Sequence, residues 1–325
     1  MLTVVGENII DLVPAAAGDV PTYGAYVGGS PANVAVAAAR LGVETALIAR
    51  VSRDVFGARI RARLAADGVD DRYLVEAAEP SSLAVVTFDD ERRATYDFWL
   101  TGTADWQWRA GELPDPLGDD VTAVHVGSLA AFLEPGASAI EALLRAERER
   151  GQVTISLDPN VRPAIVAGPD GDLSQARSRV ERLVGLAHVV KASDEDLAHL
   201  YPRTSVEDAA QQWLGLGPAL VVVTQGADGA LALARSATVA VPAPQVTIAD
   251  TVGAGDTFAG ALLHGLDAAG LLGAAGTAKL DALDADQLRP IVVRAAAAAA
   301  FNCTRPGANP PNAAELAGFL AQLGA

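Results

Sequence analysis

Two short stretches of this chain carry residue types that can do chemistry. The first is Asp250-Thr251-Val252-Gly253-Ala254-Gly255-Asp256-Thr257-Phe258, which sets two glycines and a carboxylate where a loop turns into a helix. Gly253 and Gly255 have no side chains, so an anionic group can come close to the backbone. The first N–H groups of a helix lack partners within it and lie at the positive end of its dipole, which makes a ready site for a phosphoryl group. Asp256 follows the second glycine, where it can accept a proton from an attacking hydroxyl. On spacing alone the same residues also read as a glycine-rich turn capped by an aspartate. The second stretch is Gly28-Gly29-Ser30-Pro31-Ala32-Asn33, another double glycine ahead of a helical pattern.

Both stretches need elements to aim them. Residues 254–270 read as a helix with Phe258, Leu262 and Leu263 on its buried side. Ser30 suits an N-cap and Pro31 the first helical position, so residues 32–41 read as a helix closed by Gly42. Short apolar strands are expected at 2–6, 44–49, 123–126, 153–157, 188–191 and 220–224. Helices are expected at 55–67, 137–150, 175–186 and 285–301. This alternation predicts an α/β fold, a doubly wound and mostly parallel sheet covered on both faces. Ligands in such sheets bind beyond the carboxyl ends of the strands. Residues 11–27 and 83–100 instead carry period-two patterns with no helix between, which read as antiparallel strands of a small sheet outside the main one. Such a sheet is placed to be a lid, or else it is an edge extension of the main sheet.

Composition narrows the function. A net charge of −16 over 325 residues argues against a nucleic-acid partner, whose binding rests on basic side chains. Cys303 is the only cysteine, which excludes an internal disulfide and a thiolate zinc site. The four histidines, His125, His188, His199 and His264, are scattered without ligand spacing. No basic-then-apolar leader opens the chain, and the alanine-rich run 291–301 is too short to span a bilayer, so a soluble cytoplasmic protein is expected. Lysine occurs only at Lys191 and Lys279, neither of them in a P-loop context. Any nucleotide phosphate must therefore be met by helix N-termini, a metal and arginine.

An N-terminal G-G-x-x-A-N and a C-terminal D-T-x-G-A-G-D, separated by an α/β region, resemble the two signatures of the PfkB, or ribokinase-like, sugar kinase family. Further segments follow in the family's order: Gly6 to Asp11, Ser52 to Gly57 with Asp54, Asp158-Pro159-Asn160-Val161-Arg162, Thr224 to Gly229, and Thr304-Arg305-Pro306-Gly307-Ala308. The resemblance implies one ribokinase-like domain over residues 1–325, with lid strands inserted at about 11–27 and 83–105. It implies ATP-dependent phosphorylation of a sugar hydroxyl, with Asp256 as base, the backbone of Gly253, Ala254 and Gly255 as anion hole, and Arg162 as a mobile positive charge. Asp11 and Asn33, with the backbone of Gly28 and Gly29, resemble the sugar contacts. Ser193, Thr224, Gly226 and Gly229 resemble the nucleotide wall. Each keeps a plainer reading: a surface ion pair for Arg162, a bond to its own backbone for Asn33, and a hairpin turn for the nucleotide glycines.

Where the family usually has N-x-x-E near magnesium, this chain has Ser193-Asp194-Glu195-Asp196. Asp196 is the expected water-mediated Mg2+ ligand, and a capping pattern is the alternative. Asp250 and the backbone near Val252, Asn302, Arg305 and Gly307 resemble the family's monovalent-cation loop, which implies K+. The opening motif, D-P-N-x-R and the stretch Gly102 to Asp105 look most like the fructokinase branch. Relatives that act on sugar acids often carry an arginine where Leu100 stands here, though Arg92 or Arg93 could reach the same place. D-fructose is the first expectation, with 2-keto-3-deoxygluconate or ribose second. A nicotinamide oxidoreductase would need G-x-G-x-x-G after the first strand, and Gly6 is followed by Glu7 and Asn8. A non-catalytic sugar-binding or nucleotide-binding protein would show a lost base or a broken anion hole, and both are intact. The lid strands could pair with those of a second subunit to give a homodimer.

Overall fold

The computed structural model describes residues 1–15, 22–88 and 94–324. The strands, in chain order, are β1 (Leu2–Val5), β2 (Ile9–Pro14), β3 (Tyr23–Gly28), β4 (Thr45–Ser52), β5 (Leu74–Ala77), β6 (Ser82–Phe88), β7 (Ala94–Trp99), β8 (Ala123–Gly127), β9 (Thr154–Asp158), β10 (Val189–Ser193), β11 (Leu220–Thr224), β12 (Ala230–Ala234) and β13 (Thr238–Val241). The helices are α1 (Ser30–Arg40), α2 (Val55–Ala66), α3 (Gly136–Arg150), the single turn α4 (Pro163–Val166), α5 (Ser174–Leu186), α6 (Asp194–Leu200), α7 (Val206–Leu216), α8 (Ala254–Ala268), α9 (Gly273–Leu280), α10 (Ala285–Cys303) and α11 (Ala313–Leu323).

A nine-stranded sheet runs β13-β12-β11-β10-β9-β8-β1-β4-β5. All its pairings are parallel except β11–β12 and β12–β13, so the expected mostly parallel sheet holds. Its central strands are buried along their whole length, because helices cover both faces. Alternate residues feed different cores. Val124, Ile155, Val190 and Val221 pack with α3, α5, α6 and α7 on one face. Leu2, Val4, Leu220 and Val222 pack with α1, α8 and α10 on the other. Phe258, Leu262 and Leu263 are each buried on α8, as their spacing predicts.

The second sheet runs β3-β2-β6-β7 and lies outside the main one. Strands β2–β3 and β6–β7 are antiparallel, as expected, but β2 and β6 pair in parallel. Local periodicity sets which face a residue takes, and it carries no information about the direction of a distant partner such as Ser82, which pairs with Ile9. Ser30 is not an N-cap. Gly29 takes that place at φ 98, and the Ser30 hydroxyl turns elsewhere. Arg92 and Arg93 lie outside the described residues. No single helix among the described residues is long and apolar enough to cross a membrane.

Candidate active site

Helix α8 is preceded by Gly253 at its N-cap, whose φ of 74 lies in the left-handed region and which packs so tightly on Ala308 that a Cβ would come within 2.6 Å of it. The Ala254 amide closes a turn onto the Thr251 carbonyl at 3.2 Å. The amides of Gly253, Gly255 and Asp256 have no backbone acceptor among the described residues, so they are the open donors at this end of the helix. The Ala254 N–H, expected to join the anion hole, is engaged in this turn.

Asp256 stands in the first turn of α8 with both carboxylate oxygens engaged. Ser30 Oγ donates to Oδ1 at 2.7 Å and Asn33 Nδ2 donates to Oδ2 at 2.8 Å. Both donors come from the first turn of α1, which packs on α8 closely enough that a Cβ at Gly260 would lie 2.7 Å from Ala37. The two glycine motifs thus meet through the carboxylate. Asn33 does not fold back on its own backbone, and its amide is aimed at Asp256.

Strand β2 brings Asp11 to the same place. A Cβ on Gly28 would strike Asp11 Oδ2, and one on Gly29 would lie 2.6 Å from the Glu7 carbonyl. Burial, with the charge of Asp256 beside it, pushes the Asp11 carboxyl up to about 6. Glu7, two residues beyond β1, accepts the Ala130 N–H at 3.0 Å and is pushed up to about 7 by burial. Sequence reading passed over Glu7. Its signal was an acid two residues past a mostly apolar strand.

Arg162 follows Asn160, a non-glycine residue at φ 39, and forms no ion pair among the described residues. Lys191, near the end of β10, is only 5% exposed and donates to Asp158 Oδ2 at 2.8 Å. Its ammonium would lie 3.0 Å from a Cβ on Gly255. Sequence reading set this lysine aside for want of a P-loop, and the fold returns it to the site by another strand.

Thr224 ends β11, and Gly226 and Gly229 adopt φ of 52 and 103 in the turn to β12. A Cβ on Gly229 would strike the Val241 carbonyl, so the hairpin alone demands glycine there. Ser193 and Asp196 form the capping box of α6, the alternative weighed from sequence. Asp196 Oδ2 accepts from Ser193 N and Oγ at 2.8 and 2.7 Å, and its Oδ1 accepts from Val161 N at 2.6 Å. Asp194 and Glu195 stand beside it on the cavity wall.

The loop around Asp250 also assembles. Asp250 accepts from Val252 N at 3.0 Å and Gly307 N at 2.8 Å, and Asn302 Nδ2 donates to the Val252 carbonyl at 2.8 Å. The Arg305 side chain points away, paired with Glu315 at 2.6 Å. Buried His125 bonds to Ser156 Oγ and half-buried His188 accepts from Ile155 N, and desolvation pulls them down to about 3 and 4. Neither touches the site.

One cavity of 1010 Å³ takes in Asp11, Gly29, Asn33, Gly253, Gly255, Asp256, Arg162, Lys191, Ser193, Asp196, Thr224, Gly226 and Gly229. Tyr96 and Phe98 of the second sheet, stacked at 5.8 Å, line it from above. Leu100 is not among its walls; that partly buried side chain packs against the core, and the Leu100 carbonyl accepts from Trp106 Nε1 at 3.0 Å. Residues 1–315 match the family model for pfkB family carbohydrate kinases. The chain belongs to this family. It is a carbohydrate kinase, a phosphotransferase acting on an alcohol group. The chain is 36% identical over 283 residues to a fructokinase of Rhizobium leguminosarum bv. trifolii, covering 86% of this chain and 84% of the relative. Its fold matches a fructokinase with bound ATP from Xylella fastidiosa at a TM-score of 0.89 and 26% identity, covering 100% of this chain and 99% of that one. A fructokinase double mutant from Vibrio cholerae O395, solved with fructose, ADP and potassium ion bound, matches at 0.81 and 32% identity, covering 98% and 97%. The fold of this carbohydrate kinase is therefore ribokinase-like, with the smaller sheet as its second layer system.

Proposed function

We propose that this kinase transfers the γ-phosphoryl group of ATP to a hydroxyl of D-fructose, with Asp256 as base. The observation that carries the reading is the convergence of Asp256, Asp11 and the open amides of Gly253 and Gly255 on one cavity. An incoming sugar hydroxyl takes the place of Ser30 Oγ against Asp256 and donates its proton as the bond to phosphorus forms. Phosphoryl transfer passes through a loose transition state, so positioning and charge stabilisation do most of the work. The open amides face the transferring group, where developing charge makes them most valuable. Arg162 adds a positive charge from the cavity mouth. Asp11 and Asn33 bind sugar hydroxyls, since a carboxylate and an amide offer directional acceptors and donors. Thr224, Gly226 and Gly229 form the nucleotide wall.

Asp194, Glu195 and Asp196 line the cavity and would hold magnesium through water, since they form no direct ligand cluster among the described residues. Asp196 has spent most of its acceptor capacity on Val161 and Ser193, so its neighbours offer the freer oxygens. When bound, the metal neutralises the phosphate charge. The carbonyls around Val252 and Gly307 fit K+. The whole chain, residues 1–325, serves as one domain in this reading. The exposed lid aromatics Tyr23, Tyr26 and Trp99 suit a homodimer interface. A thiol without a partner and ATP as co-substrate fit the cytoplasm.

A coupled ADP-release assay over fructose, ribose, 2-keto-3-deoxygluconate and nucleosides tests the reading. Fructose is expected to give a kcat/KM at least about tenfold above the others. Preference for the sugar acid, or ADP release independent of sugar, would overturn it.

A further inference from the structure

We infer that Lys191 is a catalytic cation of this site, an ammonium fixed by Asp158 beside Gly255 that meets the transferring phosphoryl group. The inference rests on the kinase reading above and adds a residue that reading does not use. Three observations carry it. First, Lys191 lines the cavity, and one of its three N–H donors is spent on Asp158 at 2.8 Å. Second, the missing side chain of Gly255 is what lets the ammonium approach, since a Cβ there would lie 3.0 Å from Nζ. The cation therefore stands beside one of the open amides at the start of α8. Third, Asp158 is 1% exposed, and its Oδ1 has no hydrogen-bond partner among the described residues.

A buried ion pair with an orphaned oxygen adds little to stability, because desolvation offsets the attraction. Holding a lysine in one place beneath a phosphate site gives the pair a use. Burial works against the ammonium, but Asp158, Asp196 and Asp256 together outweigh it and shift Lys191 upward, so it stays charged. On its far side His125 is held neutral by burial and by Lys191 itself. A fixed cation and an exposed arginine would then share the charge on the equatorial oxygens, the part a P-loop lysine plays elsewhere. No bond to Lys191 forms or breaks. Asp158 acts through the lysine and is a positioning residue.

The test compares Lys191→Met and the double variant Asp158→Asn/Lys191→Met with the wild type. The double variant removes the stranded carboxylate, so it folds even where the single one is unstable. Both are expected to lose about 10²–10³-fold in kcat while fructose KM moves by no more than about threefold. By calorimetry, the preference for ATP over ADP should fall about tenfold, with ADP affinity kept. A folded double variant with kcat within about threefold of wild type, or equal loss of ATP and ADP binding, would overturn the assignment. Wild-type enzyme that shows no sugar-dependent ADP release would overturn the parent reading instead.

Discussion

Two glycine-rich turns start the helices that frame this site, and they make room for opposite charges. Ahead of α1, Gly28 clears space for the Asp11 carboxylate and Gly29 for the Glu7 carbonyl. At the start of α8, Gly253 presses on Ala308 and Gly255 gives way to the Lys191 ammonium. One turn is rich in acceptors, which suits hydroxyls. The other offers open amides and a cation, which suits phosphate. The same residue type therefore serves both proposed halves, and what stands behind each glycine decides which ligand the half takes. Asp256 sits at the seam: its own helix belongs to the phosphate half, and its two hydrogen-bond donors, Ser30 and Asn33, belong to the sugar half.

The largest effect is expected at the seam. Asp256→Asn should cut kcat by about 10²–10⁴-fold or more while fructose binding, read by calorimetry, persists. Undiminished turnover would remove the base.

The two turns should then fail differently. Gly28→Ala drives a methyl into Asp11, so fructose KM should rise about 10–100-fold with the ATP KM unchanged. Gly253→Ala combines a strained φ of 74 with a Cβ 2.6 Å from Ala308. It should lower kcat and ATP kcat/KM by about tenfold or more, with the fructose KM little changed. Identical kinetic signatures in the two variants would break the division into halves.

A smaller effect should appear with pH. Asp11 titrates near 6 in the free site, and its protonated form loses acceptor capacity. Fructose kcat/KM should fall by about tenfold for each pH unit below 6, and Asp11→Asn should abolish that limb.

The smallest effect concerns stability. Glu7 has its folded pKa raised from 4.5 to about 7, so the stability it contributes is fully present below 4.5 and is lost as pH rises through 7. At pH 8 the buried charge costs on the order of 1–3 kcal/mol, which Glu7→Gln should recover, with no gain near pH 4. Urea melts at the two pH values give the answer, and equal gains at both would show that the cost is not ionic.

How much of this was legible in the sequence depended on range. The strands β1, β4, β8, β9, β10 and β11 and the helices α1, α2, α3, α5, α8 and α10 follow from local apolar periodicity, and their observed bounds shift by at most three residues, at the end of β4. Strands β5, β12 and β13 and helices α4, α7, α9 and α11 were not read. Segments such as Ala230–Ala234 and Gly273–Leu280 are built mostly of alanine, leucine and glycine, which leaves too little contrast for a period to show. Ser30 before Pro31 fits the rule for an N-cap, yet its hydroxyl found a stronger acceptor in Asp256, 226 residues on. Lys191 showed a signal that went unused, a lysine inside an apolar strand, where burial demands a partner. Asp158, that partner, belonged to a motif recognised for Arg162 instead. Residue types were visible early, and the contacts that give them work depended on the fold.

A crystal structure with D-fructose and a non-hydrolysable ATP analogue bound tests the central claim most directly. One sugar hydroxyl should sit within hydrogen-bond range of Asp256 in place of Ser30 Oγ, with the terminal phosphoryl group over the Gly253 and Gly255 amides. A sugar seated elsewhere, with Asp256 still closed by Ser30 and Asn33, would contradict the account.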